Sequence, residues 1–259
     1  MQNDLKVAII QSDLVWENPE QNRINFTNKL TAILEPVDLI VLPELFTTGF
    51  SMTAQHLAET MTGDTVSWMQ RLAKQKKAAI TGSVIIVENG SYYNRLLFVF
   101  PNGTIEHYDK KHTFTLAGEH NVFTAGKNSV TIDYKGWKIK PLICYDLRFP
   151  VWSRNTEDYD LLLYVANWPK VRVSAWDTLL KARAIENMSY CVGVNRVGLD
   201  GNSYEYSGHS GVYDVLGERI DQLIDDSEGI DIVTLNKNQV TILREKLGFL
   251  YDKDSFTLE

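Results

Sequence analysis

Short runs of apolar residues, some unbroken and some alternating with polar ones, punctuate this chain. Stretches at 6–11, 38–42, 79–87, 92–100, 104–108, 138–143, 160–166, 190–196, 211–216 and 230–235 are rich in Val, Ile, Leu, Phe and Tyr and predict strands. Apolar residues spaced three and four apart predict helices over 19–34, 64–77, 174–188 and 238–247, with a shorter one over 150–156. Asp64 and Ser174 stand where side-chain oxygens can accept the orphan N–H groups of a first turn, so both are expected N-caps. The run SYYNRLLFVF, then Pro-Asn-Gly, then TIEHYDKKH reads as a hairpin. Strands interleaved with helices, together with hairpins, predict a mixed α/β (α+β) architecture with helices outside.

No linker, low-complexity tract, charge block or repeat divides the 259 residues, so residues 1–259 are expected to form one domain with a substantial core. A net charge of −7 argues against a nucleic-acid partner or an anionic membrane surface. No apolar run is long enough to span a bilayer, and no signal region precedes the first strand. Two cysteines far apart supply no disulfide framework. A reducing, cytoplasmic setting is the expectation.

Cys144 ends the apolar run 138–143 and precedes the short helical pattern, on a sharp strand-to-helix junction. Backbone N–H groups at such a junction favour a thiolate and any oxyanion beside it. The alternative is a small buried hydrophobe, which is the reading for Cys191 in YCVGVNRVG. Glu44 follows the strand 38–42, and Lys110 lies just past the second hairpin strand. A carboxylate, an ammonium and a thiol thus fall at the carboxyl ends of strands, which in layered α/β folds gather along one rim.

The set Glu44, Lys110 and Cys144, within LPELF, YDKKH and LICYDLRFP, resembles the catalytic triad of the nitrilase superfamily of carbon–nitrogen hydrolases. The resemblance extends through the GE of LAGEH (Glu119), YVANWP and KARAIENMSY, and so spans nearly the whole chain. CYDLRFPVWSRN and YVANWP look most like its bacterial ω-amidase branch, which hydrolyses the side-chain amide of 2-oxoglutaramate or 2-oxosuccinamate. The resemblance implies an α-β-β-α sandwich of two stacked mixed sheets. It also implies a homodimer or higher homo-oligomer, with the segment after Cys144 and a tail at 248–259 as candidate interface. Glu119, by the same resemblance, orients the Glu44–Lys110 pair or the substrate amide.

Within that frame the chemistry assigns roles. A cysteine of ordinary pKa is only a few per cent thiolate near neutrality, so Glu44 takes its proton during attack and returns it to departing ammonia. Lys110, with the backbone N–H of Tyr145, faces the developing oxyanion. No metal or cofactor is required. The expected substrate is a small carboxylate-bearing amide, whose carboxylate Arg172 is placed to grip in two parallel hydrogen bonds. Arg148 is the second candidate, expected instead to pair with Asp146. Asn167 as an amide partner and Trp168 as an apolar wall line the pocket, with Phe46, Tyr92 and Phe114 opposite. Other readings are a nitrile or N-carbamoyl hydrolase, a non-catalytic amide- or partner-binding member, and a Cys144 dyad with His112 or His209. The spacing of His107, His112 and His120 matches no common zinc pattern.

Overall fold

The computed structural model describes residues 3–258. In chain order the strands are β1 (Asp4–Gln11), β2 (Leu39–Val41), β3 (Ala79–Glu88), β4 (Ser91–Val99), β5 (Ile105–Asp109), β6 (Ile132–Tyr134), β7 (Trp137–Ile143), β8 (Leu161–Ala166), β9 (Tyr190–Asn195), β10 (Val197–Leu199), β11 (Glu205–Ser207), β12 (Gly211–Tyr213) and β13 (Gly229–Asn236). The helices are α1 (Pro19–Ala32), α2 (Ala54–Leu57), α3 (Asp64–Lys76), α4 (Pro150–Ser153), α5 (Val173–Asn187) and α6 (Lys237–Leu247). Six strands form one mixed sheet in the order β13-β1-β2-β3-β4-β5, and five form another in the order β12-β9-β8-β7-β6.

Strand alternation decides how the layers stack. In β1, Val7 and Ile9 join Leu39, Val41 and Phe98 in a core shared with Trp137, Ile139 and Leu161 of the second sheet. Their neighbours Ala8 and Ile10 turn the other way, into a second core with Phe26, Leu30, Met69 and Leu72 of α1 and α3. Trp176, Leu180 and Ala184 of α5 close the far side. The result is the expected α-β-β-α sandwich. Each fully buried Leu, Ile, Val or Phe contributes about 1.5–3 kcal/mol, so both sheet faces supply the driving force.

The strands follow the predicted runs closely, and the helices end within a few residues of expectation. The run expected over 211–216 pairs only as far as Tyr213. Neither predicted N-cap holds. Asp64 is the first residue of α3 rather than its cap, because Glu59 reaches in from outside to accept the Thr65 N–H at 2.7 Å. Ser174 lies inside α5, whose N-cap is Arg172. Asn18 and Asn236 are the residues whose side chains cap helices, accepting from Gln21 and Gln239. Of the tail expected over 248–259, residue 259 lies outside the described part; 249–252 form one 3-10 turn.

Candidate active site

Four strand ends build the site. β2 ends at Val41 and leads to Glu44; β5 ends at Asp109, beside Lys110; β7 ends at Ile143, beside Cys144; β8 ends at Ala166, beside Asn167. Cys144 begins a 3-10 turn (Cys144–Arg148) rather than a longer helix, and its φ is +44°. A non-glycine residue held there costs roughly 1–3 kcal/mol, so the surroundings must impose it.

They do so through Asp146. Its carboxylate accepts the Ile143 N–H at 3.0 Å, the Tyr108 hydroxyl at 2.8 Å and the His112 N–H at 3.0 Å, with the His112 ring at 2.7 Å. Trp152 donates to the Tyr108 oxygen at 2.9 Å, and Arg183 of α5 donates to Leu147 O at 2.6 Å. Glu44 is framed similarly. Leu45, at φ +42°, donates its N–H to Ser83 Oγ at 2.9 Å.

These junctions bring the three sequence-predicted polar groups together in the interior. Lys110 Nζ lies 3.0 Å from Glu44 Oε1 and 2.9 Å from Glu119 Oε2. Glu44, Glu119 and Lys110 are all essentially inaccessible to water. Glu119 is therefore a buried ion-pair partner, and Phe114 N–H donates to its Oε2 at 2.5 Å. It grips Lys110 with both oxygens and makes no bond to Glu44. Burial alone would lower the Lys110 pKa, but Glu119 and Glu44 hold it above the ordinary lysine value. Burial, and then the Glu44 charge, raise that of Glu119 against the opposing effect of Lys110.

The Cys144 thiol sits in surroundings that disfavour its charged form. Burial pushes its pKa well above the usual thiol value, and the charge on Glu44 pushes the same way while Lys110 opposes. Low polarity and adjacent carboxylate outweigh the dipoles at the head of one short turn. Attack by this thiol therefore calls for a base that takes its proton.

Cys144 and Lys110 form the floor of a cavity of about 420 Å³. Phe114, Tyr145, Arg148, Asn167, Trp168 and Arg172 line its walls, joined by Phe50, Met52 and the 200–206 loop, which sequence reasoning missed. Arg172 lies over the Phe114 ring at 5.3 Å and Arg148 over the Trp168 ring at 4.7 Å. Among the described residues neither guanidinium has a carboxylate partner. The expected Arg148–Asp146 pair does not form, because Tyr108, His112 and Ile143 already fill the Asp146 oxygens and Arg148 faces the cavity. Trp168 does provide a wall, its indole N–H anchored on Arg172 O at 2.8 Å.

Other expectations shift. Phe46 is core, not wall: it packs between Phe26 and Trp68, at 5.5 and 5.7 Å. Tyr92 packs against the small cluster of Leu45, Ala54, Ile85 and Phe123. Asn167 spends its polar groups largely on Glu44, its backbone N–H on Oε2 at 2.7 Å and its side-chain NH₂ on the Glu44 carbonyl at 2.6 Å. Its Oδ1 is buried and has no protein partner among the described residues. His112 stacks on Phe149 at 3.7 Å, and His209 faces Asp177 at 3.0 Å; neither lines the Cys144 cavity. No metal-binding group of His, Cys, Asp and Glu occurs among the described residues.

Two stacked mixed sheets with a thiol, a lysine and a carboxylate at their strand ends, and a second carboxylate brought in from a 3-10 turn, form a frame suited to hydrolysis. The chain belongs to the carbon–nitrogen hydrolase family, whose pattern it matches over residues 6–245. It is 46% identical over 257 residues to the omega-amidase YafV of Escherichia coli K12, covering 98% of each chain. It is 33% identical to the 2-oxoglutaramate amidase of Bacillus subtilis, covering 82% of this chain and 83% of that one. A solved structure of XC1258 from Xanthomonas campestris, described as a CN-hydrolase superfamily protein with an arsenic adduct in its active site, superimposes with a TM-score of 0.96 at 42% identity over the whole of both chains.

Proposed function

We propose that this hydrolase removes the ω-amide of small 2-oxo dicarboxylic acid monoamides, 2-oxoglutaramate and 2-oxosuccinamate first among them, releasing ammonia and the 2-oxo diacid. The observation that carries the reading is the placement of Cys144 and Lys110 at the base of a cavity whose wall presents two guanidinium groups without ionic partners. Of the relatives above, one is named an omega-amidase and another a 2-oxoglutaramate amidase, which supports the ω-amide reading.

The chemistry runs in two halves. Glu44 accepts the thiol proton as Cys144 sulfur bonds to the amide carbon, and the carbonyl oxygen becomes an oxyanion. Lys110 and the Tyr145 N–H stabilise that charge; N–H groups at the head of a helical turn have no intrahelical acceptor. Glu44 returns its proton to the amide nitrogen, the carbon–nitrogen bond breaks, and ammonia leaves a thioester on Cys144. Water then gives a proton to Glu44 as its oxygen bonds to the thioester carbon; the carbon–sulfur bond breaks, Glu44 passes the proton to sulfur, and the 2-oxo diacid leaves with the thiol and carboxylate restored. Glu119 holds Lys110 in place and charged. Asn167 Oδ1, a buried acceptor on the cavity wall, suits the substrate's amide N–H. Arg172 and Arg148 face the carboxylate end.

Both cysteines are unpaired and buried, which suits a reducing cytoplasm. Exposed Val151, Phe249, Tyr251 and Leu258 suit a homo-oligomeric contact through the segment after Cys144 and the tail. Among the described residues no helix is long and apolar enough to cross a membrane.

Ammonia release from a panel of amides tests the assignment. Turnover is expected to be fastest with 2-oxoglutaramate or 2-oxosuccinamate and slow with neutral amides of equal length. Preference for a nitrile, an N-carbamoyl compound or a neutral amide would overturn it.

A further inference from the structure

The two oxygens of Glu44 are not equivalent, and the residue that makes them so is Asn94. Its side-chain NH₂ donates to Glu44 Oε1 at 2.8 Å and lies 3.5 Å from Glu119 Oε1, placed between the two carboxylates. Asn94 is 1% exposed and sits in the middle of β4, opposite Ile85 of β3, so backbone pairing fixes its position. Its own carbonyl accepts the Lys110 N–H at 3.0 Å, which also sets where that lysine begins. The side-chain orientation is unambiguous, because only the NH₂ end can face two carboxylates.

Glu44 Oε1 thus accepts from both Asn94 and Lys110, whereas Oε2 accepts the Asn167 N–H. A carboxylate oxygen has two good acceptor directions. Oε1 is filled, and Oε2 has one direction left. We infer that Asn94 is a positioning residue that, with Lys110, saturates Glu44 Oε1 and thereby makes Oε2 the atom that exchanges the proton with Cys144 and the leaving nitrogen. The proton passes from Sγ to Oε2 as the carbon–sulfur bond forms, and from Oε2 to nitrogen as the carbon–nitrogen bond breaks. Bond and proton counts are unchanged from the scheme above, on which this inference rests through the role of Glu44 as base.

Donation by Asn94 has a second effect. A hydrogen bond to the charged form of a carboxylate favours that form. The charged groups that face Glu44 are Lys110 and Glu119; the Cys144 thiol is the third titratable neighbour. Asn94 offsets part of the Glu119 repulsion without adding a charge. A lysine there would neutralise the pair more strongly, but it would weaken the base that the thiol needs.

The test is the pH profile of kcat/KM for 2-oxoglutaramate in Asn94→Leu, which keeps the shape and removes the donor. The smaller Asn94→Ser serves if the leucine variant fails to fold, judged by circular dichroism. Loss of the donor is expected to lower kcat at least tenfold, to change KM less than about threefold, and to move the acid limb to higher pH. Asn94→Ser, with a shorter hydroxyl donor, is expected to move it less. An acid limb at the wild-type pH in both variants overturns the inference, whatever happens to the rate, because a purely structural loss lowers activity without moving the limb. Failure of the underlying reading is distinguishable: Glu44→Gln would then retain wild-type turnover.

Discussion

The floor and the wall of the cavity are built on opposite principles. At the floor, Lys110 is buried and bonded to both Glu44 and Glu119 beneath it, and Asp146 locks the Cys144 turn through four donors. On the wall, Arg148 and Arg172 rest on Trp168 and Phe114 with no ionic partner. The floor is preorganised for charge that develops during reaction, where donors already in place cost no reorganisation. The wall keeps its charges available for a ligand that brings its own carboxylate. On the proposed reading, groups that act on the transition state are rigidly paired, and groups that select the substrate are stacked and have no ionic partner among the described residues.

That contrast makes ordered predictions. Breaking the floor has the largest effect. Glu44→Gln keeps the size but cannot take a proton, so kcat should fall at least about a hundredfold in steady-state assays. Lys110→Met should cost about 3 kcal/mol of barrier, again mainly in kcat. Near-wild-type turnover in either folded variant would dissolve the floor as a catalytic unit.

The same Glu44→Gln variant should make Cys144 more reactive towards iodoacetamide near neutral pH. The Glu44 charge raises the thiol pKa and Lys110 lowers it, so neutralising the carboxylate leaves the lysine effect less opposed. The pH at which alkylation accelerates should therefore move down, as read by peptide mass mapping of Cys144 over a pH series. An upward move would mean that the carboxylate stabilises a thiolate.

On the wall the losses should be smaller and should fall on KM. Arg172→Ala removes a charge-assisted contact worth about 1.5–3 kcal/mol, so kcat/KM for 2-oxoglutaramate should drop roughly tenfold to more than a hundredfold. Arg148→Ala should follow the same pattern at equal or lesser cost. A neutral amide of equal length should be hydrolysed by both variants about as poorly as by wild type. Equal losses on both substrates would remove the wall from recognition.

How much of this was legible in the sequence also divides between regions. The long strands β1, β3, β4, β7 and β8 announce themselves by alternation and apolar content. Three-residue strands such as β6 and β10 carry too few positions for a period to show, and the four-residue α2 does not complete a helical repeat. Glu44, Lys110 and Cys144 were legible because each reactive type follows a strand, and the family resemblance supplied Glu119. Asn94 was not: in YYNRLL it looks like an ordinary polar strand residue, and only pairing across β3, β4 and β5 brings it beside Glu44. Asp146 was misassigned to Arg148 because proximity in sequence suggested a pair. Its real partners, Tyr108 and His112, come from another sheet and the loop beyond it. Phe46 was misplaced for the related reason that residues two apart, Glu44 and Phe46, face different environments across a kink at Leu45.

The central claim is that Cys144 carries the acyl group while the paired floor does the proton work. Acid-quenched intact-mass analysis of wild-type protein during turnover of 2-oxoglutaramate, with peptide mapping, tests it most directly. The account predicts a 2-oxoglutaryl adduct on Cys144, absent from a folded and inactive Cys144→Ala variant and never on Cys191. Continued ammonia release by Cys144→Ala, or an adduct on Cys191 alone, would contradict it.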